Sequence, residues 1–185
     1  FETGGETMSE AGREAEQVEI ALDEGQEASS THPNPHIREV ADQDIGSAIA
    51  VAGHPIHAML VHFPIAFVIS TLGIDIFYWF TGDPFWLQVG IWSAGAAFVF
   101  GVLAAIVGTA ELLAVPGIRV RVASWNHAIA AMVMLAIVGA NAGLRLFWPE
   151  TVLPNGLMLS VLSSFAAAFA GWHGGKLIFD HGVGL

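Results

Sequence analysis

The sequence predicts an all-α protein that spans a membrane as an up-down four-helix bundle, preceded by an acidic N-terminal extension. The composition is 54% hydrophobic but only 12% charged, with a mean hydropathy of +0.61. So few charges cannot coat a water-facing surface, which indicates that lipid surrounds the protein. The apolar residues also fall in four runs, each longer than the roughly 20 residues that cross a bilayer. The predicted helices cover about residues 58–80, 85–113, 120–147 and 154–179.

The charge pattern divides the chain into an acidic tail, residues 1–44, and a membrane domain, residues 45–185. The tail holds twelve acidic residues and two arginines, whereas the membrane domain is nearly neutral. We expect the tail to be extended, or held by a basic protein partner, because acidic stretches of this kind do not fold alone. Nothing in the chain resembles a basic patch for nucleic acid. The lack of cysteine excludes disulfides and thiolate metal sites.

Histidines gather at one end of the predicted bundle. Short loops make neighbouring helices antiparallel, so the first and third helices start where the second and fourth end. We call this end the near face and the opposite end the far face. The histidines predicted at the near face are His54, His57, His62, His127, His173 and His181.

The distribution of basic residues predicts the orientation in the membrane. Arg119, Arg121 and Lys176 lie at the near face, whereas Arg145 is the one cation of the far half. The positive-inside rule then places the near face and both termini in the cytoplasm. We expect a multi-pass protein of a bacterial inner membrane.

Four segments resemble the small bacterial membrane proteins grouped as domain of unknown function 2231. They are "GHPIHAMLVHFPIAF", "GDPFW", "VRVASWNHAIAAM" and "GWHGGKLIFDHGVGL", and the resemblance covers about residues 53–185. It implies a four-helix membrane fold and a redox setting, since some members are fused to a Rieske-type domain. His54, His57, His127 and His181 match positions where histidine is common in this family, whereas His173 departs from the pattern.

The histidine layer predicts one b-type haem. Such a haem takes two imidazoles from different helices, and His62, His127 and His173 are expected at one depth. We predict His62 with His127 as the axial pair, and His127 with His173 as the next choice. The near-face cations placed to pair with the haem propionates are Arg119, Arg121 and Lys176. The chain is thus expected to be a non-catalytic subunit that binds lipid and other membrane subunits and supports electron transfer in a respiratory or photosynthetic complex.

Three alternatives to haem stay open from the sequence. A divalent metal could be bound by a set consisting of His54, His57, His62, His127 and Glu111. A histidine could instead ligate a chlorophyll-type pigment. The third alternative has no cofactor: the chain would be a structural or assembly subunit, or a proton relay through His57, His62, Glu111 and His181.

In the far half, Asp75 and Arg145 are expected to form a structural ion pair, because lone charges are costly in hydrocarbon. No continuous polar stripe accompanies them in the sequence, which argues against a channel or a transporter.

Overall fold

The protein is an all-α membrane bundle, as predicted. The computed structural model describes residues 47–180 and residue 183; the acidic tail and His181 lie outside this part. Four stretches of the described residues are long and apolar enough to cross a membrane: Ile56–Thr81, Pro84–Ala114, Val122–Phe147 and Pro149–Phe179. The strands and helices are β1 (Ala50–Val51), β2 (His54–Pro55), α1 (Ile56–Leu60), α2 (His62–Thr81), α3 (Pro84–Ala114), α4 (Pro116–Arg119), α5 (Val122–Phe147) and α6 (Leu157–Phe179). Helices α2, α3, α5 and α6 pack in this order around the bundle, and α6 closes it against α2.

Turn chemistry sets the helix ends. Helix α2 ends at Gly82, whose φ of 64° is easy for glycine. Helix α3 starts after Asp83, whose side chain accepts a hydrogen bond from the Phe85 backbone N–H. Helix α6 starts at Leu157, three residues later than predicted. Leu153 is extended there (φ −110°, ψ 120°), because the residue before a proline disfavours the helical conformation.

The interior has an apolar middle layer between two polar ends. Its core consists of Val68, Ala97, Met134, Val138 and Ala167. Nearer the far face, the predicted ion pair is confirmed: Arg145 Nη2 lies 2.6 Å from Asp75 Oδ2, and the two side chains are 0% and 1% exposed.

Further polar side chains join this ion pair, contrary to the expectation from the sequence. Arg145 Nε donates to Asn141 Oδ1 at 2.9 Å, and Arg145 Nη2 donates to Ser160 Oγ at 3.1 Å. Ser160 in turn donates to Asp75 Oδ2 at 2.6 Å. The network joins α2, α5 and α6, and it pairs two charges that would otherwise be costly in hydrocarbon. Of the guanidinium nitrogens, Nη1 has no hydrogen-bond partner among the described residues.

The buried positions of the two helical hairpins, α2–α3 and α5–α6, follow one repeated pattern. Each buried position of α2 listed here has a buried counterpart in α5, 70 residues later. The pairs are Pro64 and Met134, Val68 and Val138, Thr71 and Asn141, and Asp75 and Arg145. Buried positions of α3 recur 66 residues later in or just before α6: Gly90 and Gly156, Ala94 and Ser160, Ala97 and Ser163, Gly101 and Ala167, Ala104 and Ala170, Glu111 and Leu177. Since α2 and α5 run in the same direction, a pseudo-twofold axis along the bundle relates the hairpins. Asp75 and Arg145 meet across it.

The buried ion pair predicts an asymmetric response to substitution. Arg145→Met should lower the free energy of unfolding by about 3–5 kcal/mol, because it leaves the Asp75 carboxylate buried and unpaired. The double variant Asp75→Leu/Arg145→Met should regain most of this loss. Equilibrium unfolding in detergent measures both variants, with Leu146→Met at the neighbouring exposed position as the control. If Arg145→Met were as stable as the control, the ion pair would not hold the bundle together.

Candidate functional site

His57 is held at the near end of α3 by a backbone carbonyl and a glycine. Its Nδ1 lies 3.0 Å from the carbonyl oxygen of Ala104. Its ring lies over Gly108, where a Cβ atom would come within 2.5 Å of His57 Cε1. The absence of a side chain at Gly108 therefore makes the room that the imidazole occupies.

His127 repeats this arrangement in the second hairpin. Its Nδ1 lies 3.1 Å from the carbonyl oxygen of Ala170, and a Cβ atom at Gly174 would lie 3.0 Å from His127 Cε1. His57 and His127 are 70 residues apart, and the two glycines are 66 residues apart, the same spacings as in the buried core. The two imidazoles are therefore equivalent under the pseudo-twofold axis.

The two imidazoles lie close to each other, with ring centroids 6.3 Å apart and ring planes 73° apart. A carbonyl oxygen cannot donate a hydrogen bond, so Nδ1 carries the hydrogen in both rings. In the neutral state, Nε2 of each ring then keeps its lone pair. The bundle thus holds two bases in one defined tautomer.

A cavity of about 110 Å³ lies beside this pair. Its lining is mostly apolar and includes both imidazoles, Glu111 and Ser124. Glu111 is 8% exposed, and the Ser47 hydroxyl donates to Glu111 Oε1. The Ser124 hydroxyl is buried and has no hydrogen-bond partner among the described residues. The cavity therefore brings two bases, one carboxylate and one free hydroxyl together. We call His57, His127 and Glu111 the near-face cluster.

The structure does not bring His62 and His127 together as the predicted axial pair. His62 is exposed and is the first residue of α2, with Nδ1 3.3 Å from the carbonyl oxygen of Met59. The helix is interrupted at Val61, between α1 and α2. His57 faces α3, whereas His62 faces outward, because residues five apart lie about 140° apart around a helix.

Two other predicted ligands, His54 and His173, also lie away from the His57–His127 pair. His54 is exposed in β2, where Nδ1 lies 2.9 Å from the carbonyl oxygen of Ala52. His173 lines a groove on the outer side of α5 and α6. Of the five residues predicted to bind a metal, only His57, His127 and Glu111 line one cavity. Within residues 47–180 and 183, no group of three or more histidine or acidic residues could hold a metal ion.

The cations predicted to pair with haem propionates do not line the cavity. Arg119 Nη1 donates to the Leu113 carbonyl at 3.4 Å, and Arg121 Nε donates to the Gly117 carbonyl at 3.1 Å. Lys176 lies 3.9 Å from Asp180 on the exposed side of α6. These side chains contact the near-face loops and the surface of the protein.

Residues 53–185 match the family described as predicted membrane protein (DUF2231). The chain belongs to this family. The match to DUF2231 includes both hairpins and the whole near-face cluster, and it starts at the turn before β2. No curated protein and no solved structure matches the chain.

The pairing of His57 with His127 was not predicted, although the sequence holds a signal for it. Both α3 and α6 contain alanine four residues before glycine, Ala104 with Gly108 and Ala170 with Gly174. In each case the alanine carbonyl and the bare glycine face a histidine of the preceding long segment. Gly108 and Gly174 make room for the two imidazole rings.

Glycine substitutions test this packing. Gly108→Ala should lower the free energy of unfolding by about 1–3 kcal/mol, because the added methyl group overlaps the His57 ring in a packed interior. Gly175→Ala is the matched control, because a Cβ atom there meets nothing within 4 Å. It should stabilise α6 slightly, since alanine favours a helix over glycine. Equal stability of the two variants in thermal unfolding would contradict the observed position of His57.

Proposed function

We propose that the chain is a non-catalytic membrane subunit that takes up and releases protons through the near-face cluster. The proposal rests on one observation: the Nδ1–H groups of His57 and His127 each donate to a backbone carbonyl. Both rings therefore keep a basic Nε2, and the buried Glu111 carboxylate lines the same cavity. Histidine is the side chain whose charge changes most readily near neutral pH. The cluster therefore contains the groups that a proton-binding site requires.

The cluster is suited to one additional proton. Two charged imidazoles with centroids 6.3 Å apart would repel each other in a region of low dielectric constant. One charged imidazole, however, is compensated by the Glu111 carboxylate in the same cavity. The cavity lining contains no arginine or lysine that would oppose this charge.

The proton exchange is expected with the near face alone. The apolar layer around Val68 and Val138 lies between the cluster and the far-face network. Farther along, Arg145 and Asp75 are sealed from solvent. These two features support a proton-binding site at one face rather than a channel.

Haem binding and membership of a redox complex both stay predictions. The cavity beside the histidine pair measures about 110 Å³, whereas pockets for ordinary organic ligands measure about 300–1,000 Å³. Gly108 and Gly174 are filled by the imidazoles themselves, so the arrangement at the pair does not fit a macrocycle. For this reason the proposal relies on the side chains of the cluster and on no cofactor.

The charge distribution of the folded protein supports the predicted orientation. Arg145 is buried in the ion pair, so it adds no charge to the far-face surface. The other basic residues of the described chain, Arg119, Arg121 and Lys176, are at the near end. We therefore infer that the near face and both termini lie in the cytoplasm of a bacterium with the protein in its inner membrane.

Histidine NMR tests the proton-binding proposal. In lipid nanodiscs with ¹⁵N-labelled histidine, the pair should be neutral and protonated on Nδ1 at high pH, and it should take up one proton on acidification. In His127→Gln, the ¹⁵N signals of the second ring and its part in the proton uptake should be absent. His62→Gln, at an exposed position, is the control and should leave the titration of the pair unchanged.

Two results would overturn the proposal. In the first, both imidazoles of the wild-type protein would stay neutral down to the pH at which the protein unfolds. In the second, the purified chain would carry a b-type haem spectrum that His127→Gln abolishes. An absorption spectrum of the same samples decides the second point.

Single cysteines test the orientation, since the chain contains none of its own. Val120→Cys is at the near end and Asn155→Cys is in the far-face loop, and both positions are exposed. A membrane-impermeant maleimide added to spheroplasts should label Asn155→Cys, and it should reach Val120→Cys only after lysis. The reverse labelling pattern would place the near face outside the cytoplasm.

A further inference from the structure

An outer groove distinguishes the second hairpin from the first. It lies between α5 and α6, measures about 290 Å³, and its lining is mostly apolar. The residues that line it are Asn126, Ile129, Ala130, Val133, Ala166, Phe169 and His173. None of them belongs to the near-face cluster, and the groove shares no lining residue with the cavity beside the histidine pair.

The pseudo-twofold axis provides an internal comparison for this groove. In the first hairpin, Phe63 occupies the position of Val133, and Phe100 occupies the position of Ala166. These phenyl rings stack on each other with centroids 5.1 Å apart and planes 21° apart. The first hairpin thus fills with two aromatic rings the space that the second hairpin leaves open.

The same comparison shows where polar groups replace apolar ones. His173 corresponds to Val107, and Asn126 corresponds to Ile56. The Asn126 side chain makes no hydrogen bond to the described residues and is exposed. His173 Nδ1 lies 3.0 Å from the carbonyl oxygen of Phe169, so Nδ1 carries the hydrogen and Nε2 can only accept.

Unpaired polar groups on the lipid side of a bundle are costly, so a ligand that pairs with them gains affinity. The Nε2 atom of His173 can accept a hydrogen bond from a ligand hydroxyl group, and the Asn126 amide can both donate and accept one. Asn126 is four residues into α5, and His173 is six residues from the end of α6. At 1.5 Å per residue, both lie about 6–9 Å inside the near face, where the polar head of a membrane-soluble molecule can reside.

We propose that this groove binds the ring of a lipid-soluble quinol. The flat ring would occupy the space that Phe63 and Phe100 fill in the first hairpin, with Phe169 as one wall. One hydroxyl donates to His173 Nε2, the Asn126 amide binds an oxygen of the ring, and the tail extends into lipid. The volume is at the lower end for ligand pockets, about 300 Å³, which suits one substituted ring.

Equilibrium binding of a short-tailed benzoquinol tests this site. The full chain in lipid nanodiscs should bind it saturably under anaerobic conditions, compared with empty nanodiscs. His173→Ala should weaken binding about tenfold, the effect of one hydrogen bond of ordinary strength. Val133→Phe/Ala166→Phe installs the phenyl rings of the first hairpin and should abolish saturable binding.

Two further variants keep the test decisive. Val99→Phe adds a phenyl ring on the exposed outer side of α3 and should bind the quinol as the wild type does. If the double variant fails to fold in thermal unfolding, Ala130→Leu, which copies Leu60 of the first hairpin, replaces it and should weaken binding.

Several results would overturn the proposal. They are no saturable binding to the wild type, wild-type binding by the filled-groove variant, or a coloured macrocycle that copurifies with the chain and is lost in His173→Ala. A wild-type dimer that the filled-groove variant dissociates would show that a second copy of the chain covers the groove. Unchanged quinol binding by His127→Gln, which removes one imidazole of the near-face cluster, would separate this site from the cluster.

Discussion

The buried charge of Arg145 is the constraint on which the packing of this bundle depends. A guanidinium in hydrocarbon is costly unless the protein itself supplies its partners, and here these partners come from Asp75, Asn141 and Ser160. The side chain also needs space. A Cβ atom at Gly90 would lie 2.7 Å from Nη1, and one at Gly156 would lie 3.4 Å from Nη2. All four long segments are thus fixed relative to one another at the far end.

The pseudo-twofold axis explains why the ion pair has this form. Asp75 and Arg145 occupy equivalent positions of the two hairpins, so two copies of the first hairpin would place two carboxylates on the axis. Two copies of the second would place two guanidinium groups there. Like charges at this depth are strongly unfavourable, so each hairpin is complementary to the other rather than to itself. The pair therefore specifies the assembly as well as stabilising it.

The fold could be predicted from the sequence because length and hydropathy decide it, and the ion pair followed from the cost of charge in lipid. The site was harder, because hydropathy does not show how a helix is rotated within the bundle. His57 and His62 are five residues apart and therefore about 140° apart around a helix, and the sequence alone does not show which of them turns towards α3. The glycines were ambiguous for a similar reason, since a bare position shows that something approaches closely but does not show what.

The differences between the hairpins are as informative as their likeness. His57 and His127 are identical and equivalent, but Glu111 corresponds to Leu177, so two imidazoles share one carboxylate. This difference supports the proposed uptake of one proton, since one carboxylate can compensate one charged ring. The outer grooves also differ: the groove of the first hairpin is filled by Phe63 and Phe100, whereas the groove of the second hairpin is open beside His173. The proposed proton site at the axis therefore uses one imidazole from each hairpin, whereas the proposed ligand groove belongs to the second hairpin alone.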